Sequence, residues 1–382
     1  MIRQNHSHCV RQVLRHGTRQ MIGLISLCGS AERTAIVLLI VSLLLLPAYG
    51  QPPSGDPLLL PFSTTESVVV HDSETGQSIE LTGTIEDLTG DRILLRRGGA
   101  GRVDTIRLRD VKELRFAKSH LFDEGLRQVK EHNWAAAVTA FDQASIAEPR
   151  RWVQREIDAA AARASLALFD FDDAVKRIER IAASDSQTRH LNLLPLVWDE
   201  RVGPQEKYQC ETDQLKAPSE IRRLCAASAL LEDRELRLDA AGVLVQLKTS
   251  ANAGIQEIAT AQLWRMQLLN DLPLRSGELR LWKDRATRMD YWLRGGPLTV
   301  VGRFELRAHK YDDAAASLMW LPTMQADDRG LAARCLLSAA EAVRQSGRPK
   351  EASRILAEAG LRFPDTFSIQ QMKRKVKKPG PE

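Results

Sequence analysis

Two different spacings of apolar positions divide the chain into a short β region and a long helical region. Between residues 66 and 116, apolar and β-branched residues alternate with polar ones, and turn residues interrupt the alternation. This period of two is typical of half-buried strands. From residue 118 onward, apolar and small residues recur at the spacing of one face of an α-helix. The pattern predicts a mainly α protein in which a small all-β domain precedes the helical region.

The β region, residues 66–116, is predicted to form a small barrel. The predicted strands cover 67–71, 78–88, 92–97, 105–108 and 112–116. Five short strands within so few residues favour a barrel, and their order resembles an Sm-like or SH3-like barrel. Some Sm-like proteins bind RNA as rings, but no residue here matches that role. We expect a structural barrel that packs against the first helices, and its further role stays open.

Small, aromatic and apolar residues recur at fixed offsets in the helical region. Counted from Gly125, they lie at offsets of 9, 12, 16, 19 and 24, and the same offsets recur from Ala340. Shorter series begin at Ala162 and Gly302. Small residues let two helices approach, aromatic residues fill the space beside them, and proline ends a helix. The repeat positions are Gly125, Trp134, Ala137, Phe141, Ala144, Pro149, Ala162, Phe171, Ala174, Gly302, Tyr311, Ala314, Gly347, Ala352, Ala359 and Pro364.

These positions resemble the tetratricopeptide repeat, a helix-pair unit with a period of about 34 residues. The resemblance implies an α-solenoid of stacked helix hairpins over residues 118–366. Neighbouring units start 37 and 38 residues apart, at 125 and 162 and at 302 and 340, so we expect lengthened connections. Residues 190–290 fit the repeat by composition only.

In the tetratricopeptide family, the first helix of each pair lines a concave groove that receives an extended peptide or a partner helix. By resemblance, the groove residues of this chain are Phe122, Leu126, Arg163, Arg303, Glu341 and Arg344. Members that bind a C-terminal carboxylate use a Lys/Asn/Arg clamp at these positions. Leu126 departs from that pattern, so we expect a mixed apolar and arginine groove that takes acidic or aromatic peptide segments.

The N-terminus has the pattern of an export signal. Residues 1–50 contain five arginines, one acid and an apolar run over 35–46 that a small-residue site follows. The segment is a cleaved signal peptide or an anchor formed by residues 34–50, and translation starts at Met1 or Met21. Both alternatives predict export across the cytoplasmic membrane, to the periplasm or cell envelope. Residues 51–65, rich in Pro, Ser and Gly, are predicted to be a linker.

Charge is concentrated at the two ends of the chain. The net charge is +5, and residues 1–50 contribute four of these units because Glu32 offsets one of five arginines. Five further cations lie in the tail, residues 367–382, which leaves residues 51–372 slightly acidic. Because nucleic-acid binding relies on clustered cations of a folded surface, no nucleic-acid partner is expected. The tail is predicted to be disordered, with contact to anionic lipid or polymer as the alternative.

The sequence contains no recognisable catalytic, metal or cofactor motif. Histidines are scattered, without the i, i+4 pairs that bind metals. Acidic runs at 170–173 and 312–313 suit helix starts, where carboxylates cap free amides. Cys210 and Cys225 form a disulfide or stay reduced, and the sequence leaves both open.

We therefore expect a protein without catalysis that binds a protein or peptide partner at the cell envelope. The alternative is an envelope-polysaccharide binder that uses exposed tryptophans, four of which lie at Trp264, Trp282, Trp292 and Trp320. Those side chains also suit gaps between stacked helices, which is the role we expect for them. An Sm-like RNA-binding module and a hydrolase with its site in 190–290 are the remaining alternatives. The sequence does not define the partner or the oligomeric state.

Overall fold

The structure contains a small sheet followed by a long series of helices, as the two spacings predict. The computed structural model describes residues 66–71, 77–98, 101–203, 205, 207–325 and 328–377. The predicted export segment, the linker and the last five residues lie outside these ranges. The chain divides into two units between Phe62 and Ser63, and every described residue belongs to the second unit.

Five antiparallel strands form one sheet, in the order β4-β3-β2-β1-β5. They are β1 (Glu66–His71), β2 (Ser78–Thr89), β3 (Arg92–Arg97), β4 (Arg102–Arg107) and β5 (Val111–Arg115). The long strand β2 belongs to two hairpins, because its first half pairs with β1 and its second half with β3. The pairing shifts register between Ile85 and Asp87, and such bulges increase strand twist. The five predicted strands are confirmed to within a few residues.

Thirteen helices occur in the described residues. They are α1 (His120–Lys130), α2 (Trp134–Ala147), α3 (Arg151–Ala167), α4 (Phe171–Ser184), α5 (Glu220–Leu230), α6 (Arg237–Leu247), α7 (Ala253–Leu269), α8 (Glu278–Arg288), α9 (Gly295–Arg307), α10 (Tyr311–Met324), α11 (Arg329–Gln345), α12 (Pro349–Arg362) and α13 (Phe367–Lys377). Five of the six consecutive pairs pack closely, namely α1–α2, α3–α4, α5–α6, α9–α10 and α11–α12, whereas α8 packs against α9. We call the odd-numbered members, α1 to α11, the first helices and the even-numbered members the second helices.

A left-handed residue recurs in the turns between paired helices. The φ angles of His132, Phe169, His309 and Gly347 are 60°, 61°, 57° and 82°. In each turn, the next amide donates to the carbonyl five residues earlier, as from Asn133 to Gln128 at 2.9 Å, which is the Schellman motif of helix C-termini. The second helix then starts two residues after the left-handed one and is 14 residues long in all four pairs.

The recurring offsets correspond to contacts between the two helices of a pair. Gly125 of α1 lies against Phe141 of α2, where a Cβ on the glycine would come within 2.3 Å of the ring. Gly302 of α9 lies against Leu318 of α10 in the same way. The offset-12 residues are buried at Ala137, Ala174, Ala314 and Ala352, as are Ala144, Ala162 and Ala359. Trp134, Phe171 and Tyr311 begin second helices, while Pro149 and Pro364 each follow one by two residues.

Consecutive first helices also contact each other along the chain. Contacts join α1 to α3, α5 to α7, α7 to α9, α9 to α11, and α11 to α13. The last helix, α13, buries Ile369 completely. A long connection, residues 185–219, separates the second pair from the third and contains two short 3-10 turns, Arg189–Leu193 and Thr212–Lys216.

The sheet is attached to the start of α3. The indole of Trp152 donates to the Ile85 carbonyl at 3.1 Å, and Arg155 binds Asp87 and the Leu88 carbonyl. The side chain of Arg150 pairs with the buried Glu66 at 2.6 Å. Buried residues of the sheet and of α1, α2 and α3 form one apolar core. The predicted packing of the β region against the first helices is therefore present.

Among the described residues, no helix has both the length and the apolar character that crossing a bilayer requires. The predicted segment 34–50 lies outside the described ranges. Cys210, Cys225 and Cys335 are free thiols, so the bridge that the sequence left open is not formed here.

We expect Gly125→Ala to destabilise the fold by about 1–3 kcal/mol, because its new methyl group collides with the Phe141 ring. Gly242→Ala in α6 is the matched control, since a Cβ there meets nothing within 4 Å. Helix propensity predicts a gain of up to ~1 kcal/mol for that control. Urea unfolding of the two variants measures the difference. Equal stability changes would contradict the close-contact role of Gly125.

Candidate peptide-binding groove

Residues 194–203, here called the groove segment, cross the first helices of the C-terminal pairs. They lie in the 185–219 connection and form no regular secondary structure. Val197 contacts α5 and α7, Trp198 and Glu200 contact α9, Arg201 contacts α11, and Gly203 lies against Phe367 of α13. Because the order of contacts follows the order of the helices, the segment runs across the stack rather than along one helix.

The backbone of Val197 is bound by side chains from two first helices. Its amide donates to the Ser228 hydroxyl of α5 at 2.9 Å, and its carbonyl accepts from the Gln262 amide of α7 at 3.1 Å. All three residues are buried. An unpaired buried peptide group costs free energy, and these two bonds satisfy both polar groups of this peptide residue without any strand pairing.

Trp198 occupies a slot over the N-terminal end of α9. The slot exists because Gly296 has no side chain, and a Cβ there would lie 2.0 Å from the indole. Trp198 is 8% exposed. A pocket of about 50 Å³ lies beside it, lined partly by Leu194, Leu196 and Ile258.

Acidic and basic side chains meet directly after Trp198. Glu200 forms a two-pronged ion pair with Arg303 of α9, one arm of which measures 2.6 Å. Asp199 accepts from Arg201 at 2.9 Å, and Arg201 also donates to Ser338 of α11 at 2.8 Å. The planar guanidinium matches a carboxylate in such pairs.

Two further arginines of first helices lie in this cluster. Arg265 of α7 is completely buried, donates to the Ser228 carbonyl at 2.8 Å and pairs with Glu232 at 2.6 Å. Its Nε has no hydrogen-bond partner. Arg334 of α11 is buried and acts electrostatically on Asp199.

The electrostatics of the cluster keep the carboxylates ionised. Burial alone would raise the pKa of Asp199, but Arg201, Arg303 and Arg334 outweigh burial and hold that pKa well below its usual range. The same competition between burial and Arg303 lowers the pKa of Glu200. Burial lowers the pKa of Arg265 to about 10, against the opposing effect of Glu232. All these groups are therefore charged at neutral pH.

The six groove residues predicted from the sequence lie in different environments. Arg303 is in the cluster just described. Phe122 is 5% exposed and packs edge-on against Phe141 at 5.9 Å, so it belongs to the core below the sheet rather than to an open groove. Leu126 is half-buried beside the same core.

The other three predicted residues do not join the cluster. Arg163 is exposed on α3 and acts on the Glu156–His190 pair. Glu341 and Arg344 pair with each other at 2.6 Å on α11. The structure therefore brings only Arg303 of the six to the groove segment.

Sequence reasoning missed the groove segment because its contacts are distant in sequence. One sign was present: Trp198-Asp199-Glu200 stands in a stretch otherwise rich in leucine, with no helical spacing around it. The glycine pair Gly295-Gly296 at the start of α9 is a second sign, since glycine at a helix start allows close approach. Nothing in the sequence indicates that the tryptophan of the first stretch contacts the glycine pair of the second.

A second buried polar group lies near α3. The His190 ring contacts Glu156 at 3.1 Å, and Arg189 pairs with the same carboxylate at 2.6 Å. Burial would raise the pKa of Glu156, but Arg189 and His190 lower it to about 2. Within the described ranges, no three His, Cys, Asp or Glu side chains converge as metal ligands.

All seven tryptophans belong to the described residues, and each is buried or half-buried. Trp264 of α7 and Trp282 of α8 stack with ring centres 5.1 Å apart, and Trp292 is 7% exposed. The expected core role of these side chains fits their positions.

Asp199→Asn should lower the free energy of unfolding by roughly 1.5–3 kcal/mol at neutral pH, because the ion pair with Arg201 is lost. An aspartate with a depressed folded pKa stabilises the fold above its unfolded pKa of about 3.9, and this contribution is lost as the pH falls through the folded value. The gap between the variant and the unaltered chain should therefore narrow below about pH 4. Denaturant unfolding across this pH range measures the difference in unfolding free energy. The control is Asp284→Asn at an exposed position, which should change the unfolding free energy by no more than about 0.5 kcal/mol. A gap of constant size down to about pH 3 would contradict the ionic role.

No family model, no curated protein and no solved structure matches this chain. The geometry of the groove segment and its helices is therefore the basis of the functional proposal.

Proposed function

We propose that this protein is an exported scaffold without catalysis, a tetratricopeptide-like α-solenoid that binds a protein or peptide partner on its first helices. The observation that carries the proposal is that these helices already bind an irregular stretch of polypeptide. Side chains of α5 and α7 bind its backbone, a slot on α9 takes its tryptophan, and arginines neutralise its acids.

The helix arrangement supports the solenoid part of the proposal. Four pairs share the same left-handed turn and the same second-helix length, and contacts join α1 to α3, α5 to α7, α7 to α9 and α9 to α11. Stacked helix pairs of this kind bury a continuous core and expose an extended surface, which is the usual working part of such arrays. The division between backbone contacts and side-chain pockets is also typical of peptide recognition.

The small sheet is proposed to be a barrel-like support for the first pair. Its strand β2 is shared by two hairpins, and its core is continuous with that of α1, α2 and α3. The buried ion pairs of Arg150 and Arg155 attach it to α3. These contacts support a structural role.

A site-specific photo-crosslinker on the first helices should capture the partner. We place it at Leu126 or Glu341, on α1 and α11, in the full chain produced in its own cell envelope. The controls carry the same group at Leu238 or Leu361, which are 81% and 82% exposed on second helices. The proposal expects one partner band from the first-helix positions and none from the controls. Capture from the second-helix positions alone, or from no position, would overturn it.

Export is the second testable part of the proposal. A reporter enzyme that folds only outside the cytoplasm, fused after residue 65, should be active, because the N-terminal charge and apolar run direct translocation. Deletion of residues 34–50 should abolish that activity. Mass spectrometry of the mature chain then separates a cleaved signal, with an N-terminus near residue 51, from an anchor that begins at Met1 or Met21. Equal activity of the deleted fusion would contradict export by this segment.

A further inference from the structure

We propose that the groove segment is an exchangeable intramolecular ligand, and that its groove also accepts a partner segment in which an aromatic residue precedes acidic residues. The groove consists of the faces of α5, α7, α9 and α11 that contact residues 194–203. This inference rests on the proposed function, because it names the chemistry of the partner that these first helices bind.

The wall of the groove is built independently of the groove segment. Each of α5, α7, α9 and α11 contacts the next first helix directly, and α9 and α11 also pack against their own second helices. The groove segment lies outside these helix–helix contacts and adds no hydrogen-bonded ladder to them. The helices that form the groove are therefore in contact with one another, and Leu194 and Trp198 of the segment share their apolar core.

The contacts that hold the segment are those of a bound peptide. Ser228 and Gln262 bind the amide and carbonyl of Val197, and backbone groups are present in any occupant. The slot over Gly296 requires a flat side chain, because the indole approaches the helix backbone closely. A pocket of about 50 Å³ remains beside Trp198.

The charges of the groove select an acidic occupant. Arg265, Arg303 and Arg334 come from three successive first helices and act on Asp199 and Glu200. If the groove segment leaves, Arg303 loses its carboxylate partner, and a poorly solvated cation without a counter-ion is costly. A basic or purely apolar peptide in place of the groove segment would leave Arg303 without a counter-ion, so the free-energy cost would remain. An occupant with one or two carboxylates directly after its aromatic residue removes it.

A partner must compete with the tethered groove segment, and this competition sets the affinity that displacement requires. Helices α4 and α5 hold the connection at both ends, and a short tether gives an effective concentration of about millimolar. A free peptide with the same contacts therefore competes poorly. A partner that also binds other first helices gains the additional affinity that displacement needs.

The experiment uses the full chain and a fluorescent synthetic peptide with the sequence of residues 193–203. The first variant carries Trp198→Ser, Asp199→Ser and Glu200→Ser, which remove the anchors of the intramolecular ligand. Its peptide affinity, measured by anisotropy, should exceed that of the unaltered chain at least about tenfold. Adding Arg303→Glu should lower the affinity by about tenfold or more, and a peptide with arginine in place of the glutamate should restore it. A peptide with serine in place of tryptophan is the control that should not bind.

A second measurement decides the matter without any variant. Amide hydrogen exchange in the unaltered chain should be at least about tenfold faster in residues 196–203 than in α7 and α9, because the segment opens without unfolding its groove. Equal protection of segment and helices, or equal peptide affinity of the triple variant and the unaltered chain, would overturn the proposal. If the triple variant does not fold, the exchange result alone decides.

Failure of this inference is distinguishable from failure of the proposed function. A partner that crosslinks to the first helices equally well with and without Arg303→Glu, while the peptide does not bind, supports the scaffold function and overturns this groove assignment. Peptide binding with charge-swap rescue, without any crosslinked partner, supports the groove and contradicts the scaffold function.

Discussion

The close approach of the two helices within each pair is the constraint on which the rest of the structure depends. At Gly125 and Gly302 the absence of a Cβ lets a ring or a leucine from the partner helix contact the backbone. The left-handed turn residue then fixes where the second helix begins. The same turn geometry recurs in four pairs, and contacts between first helices let a single stretch of polypeptide touch several of them.

The groove segment shows how polar chemistry is placed on this frame. Side chains from five different helices reach ten consecutive residues. Such a cluster is a weak source of net stability, because desolvation offsets much of the Coulomb attraction. It is a strong source of specificity, because an occupant that lacks the carboxylates leaves the arginines poorly solvated.

The sequence predicted the parts of this fold that depend on local spacing. Period-two alternation placed five strands within a few residues, and the offset series placed Trp134, Phe171, Tyr311 and Pro349, each of which begins a second helix. The turns were less accessible, since His132, Phe169 and His309 adopt a conformation that glycine favours and no residue type indicated it. At these turns the packing of the helix pair imposes the left-handed conformation, although these residue types do not favour it.

The groove was largely beyond sequence reasoning. Of the residues expected to line it, Arg303 pairs with Glu200, whereas Phe122 is buried against Phe116 and Phe141. Contacts such as Trp198 with Gly296 join residues nearly a hundred positions apart, and a repeat pattern carries no information about what a non-repeating connection does. The spacing of apolar residues therefore predicted least about the irregular connection between the second and third helix pairs, residues 185–219.

Elements other than helix pairs lie at both ends of the helix series, the sheet before α1 and the single helix α13 after α12. A repeating array exposes an apolar face at each terminus unless a different element covers it. Here the sheet shares an apolar core with α1, α2 and α3, and α13, with Ile369 fully enclosed, contacts α11. At both ends of the described helices, apolar side chains are therefore withdrawn from solvent by an element outside the pairs.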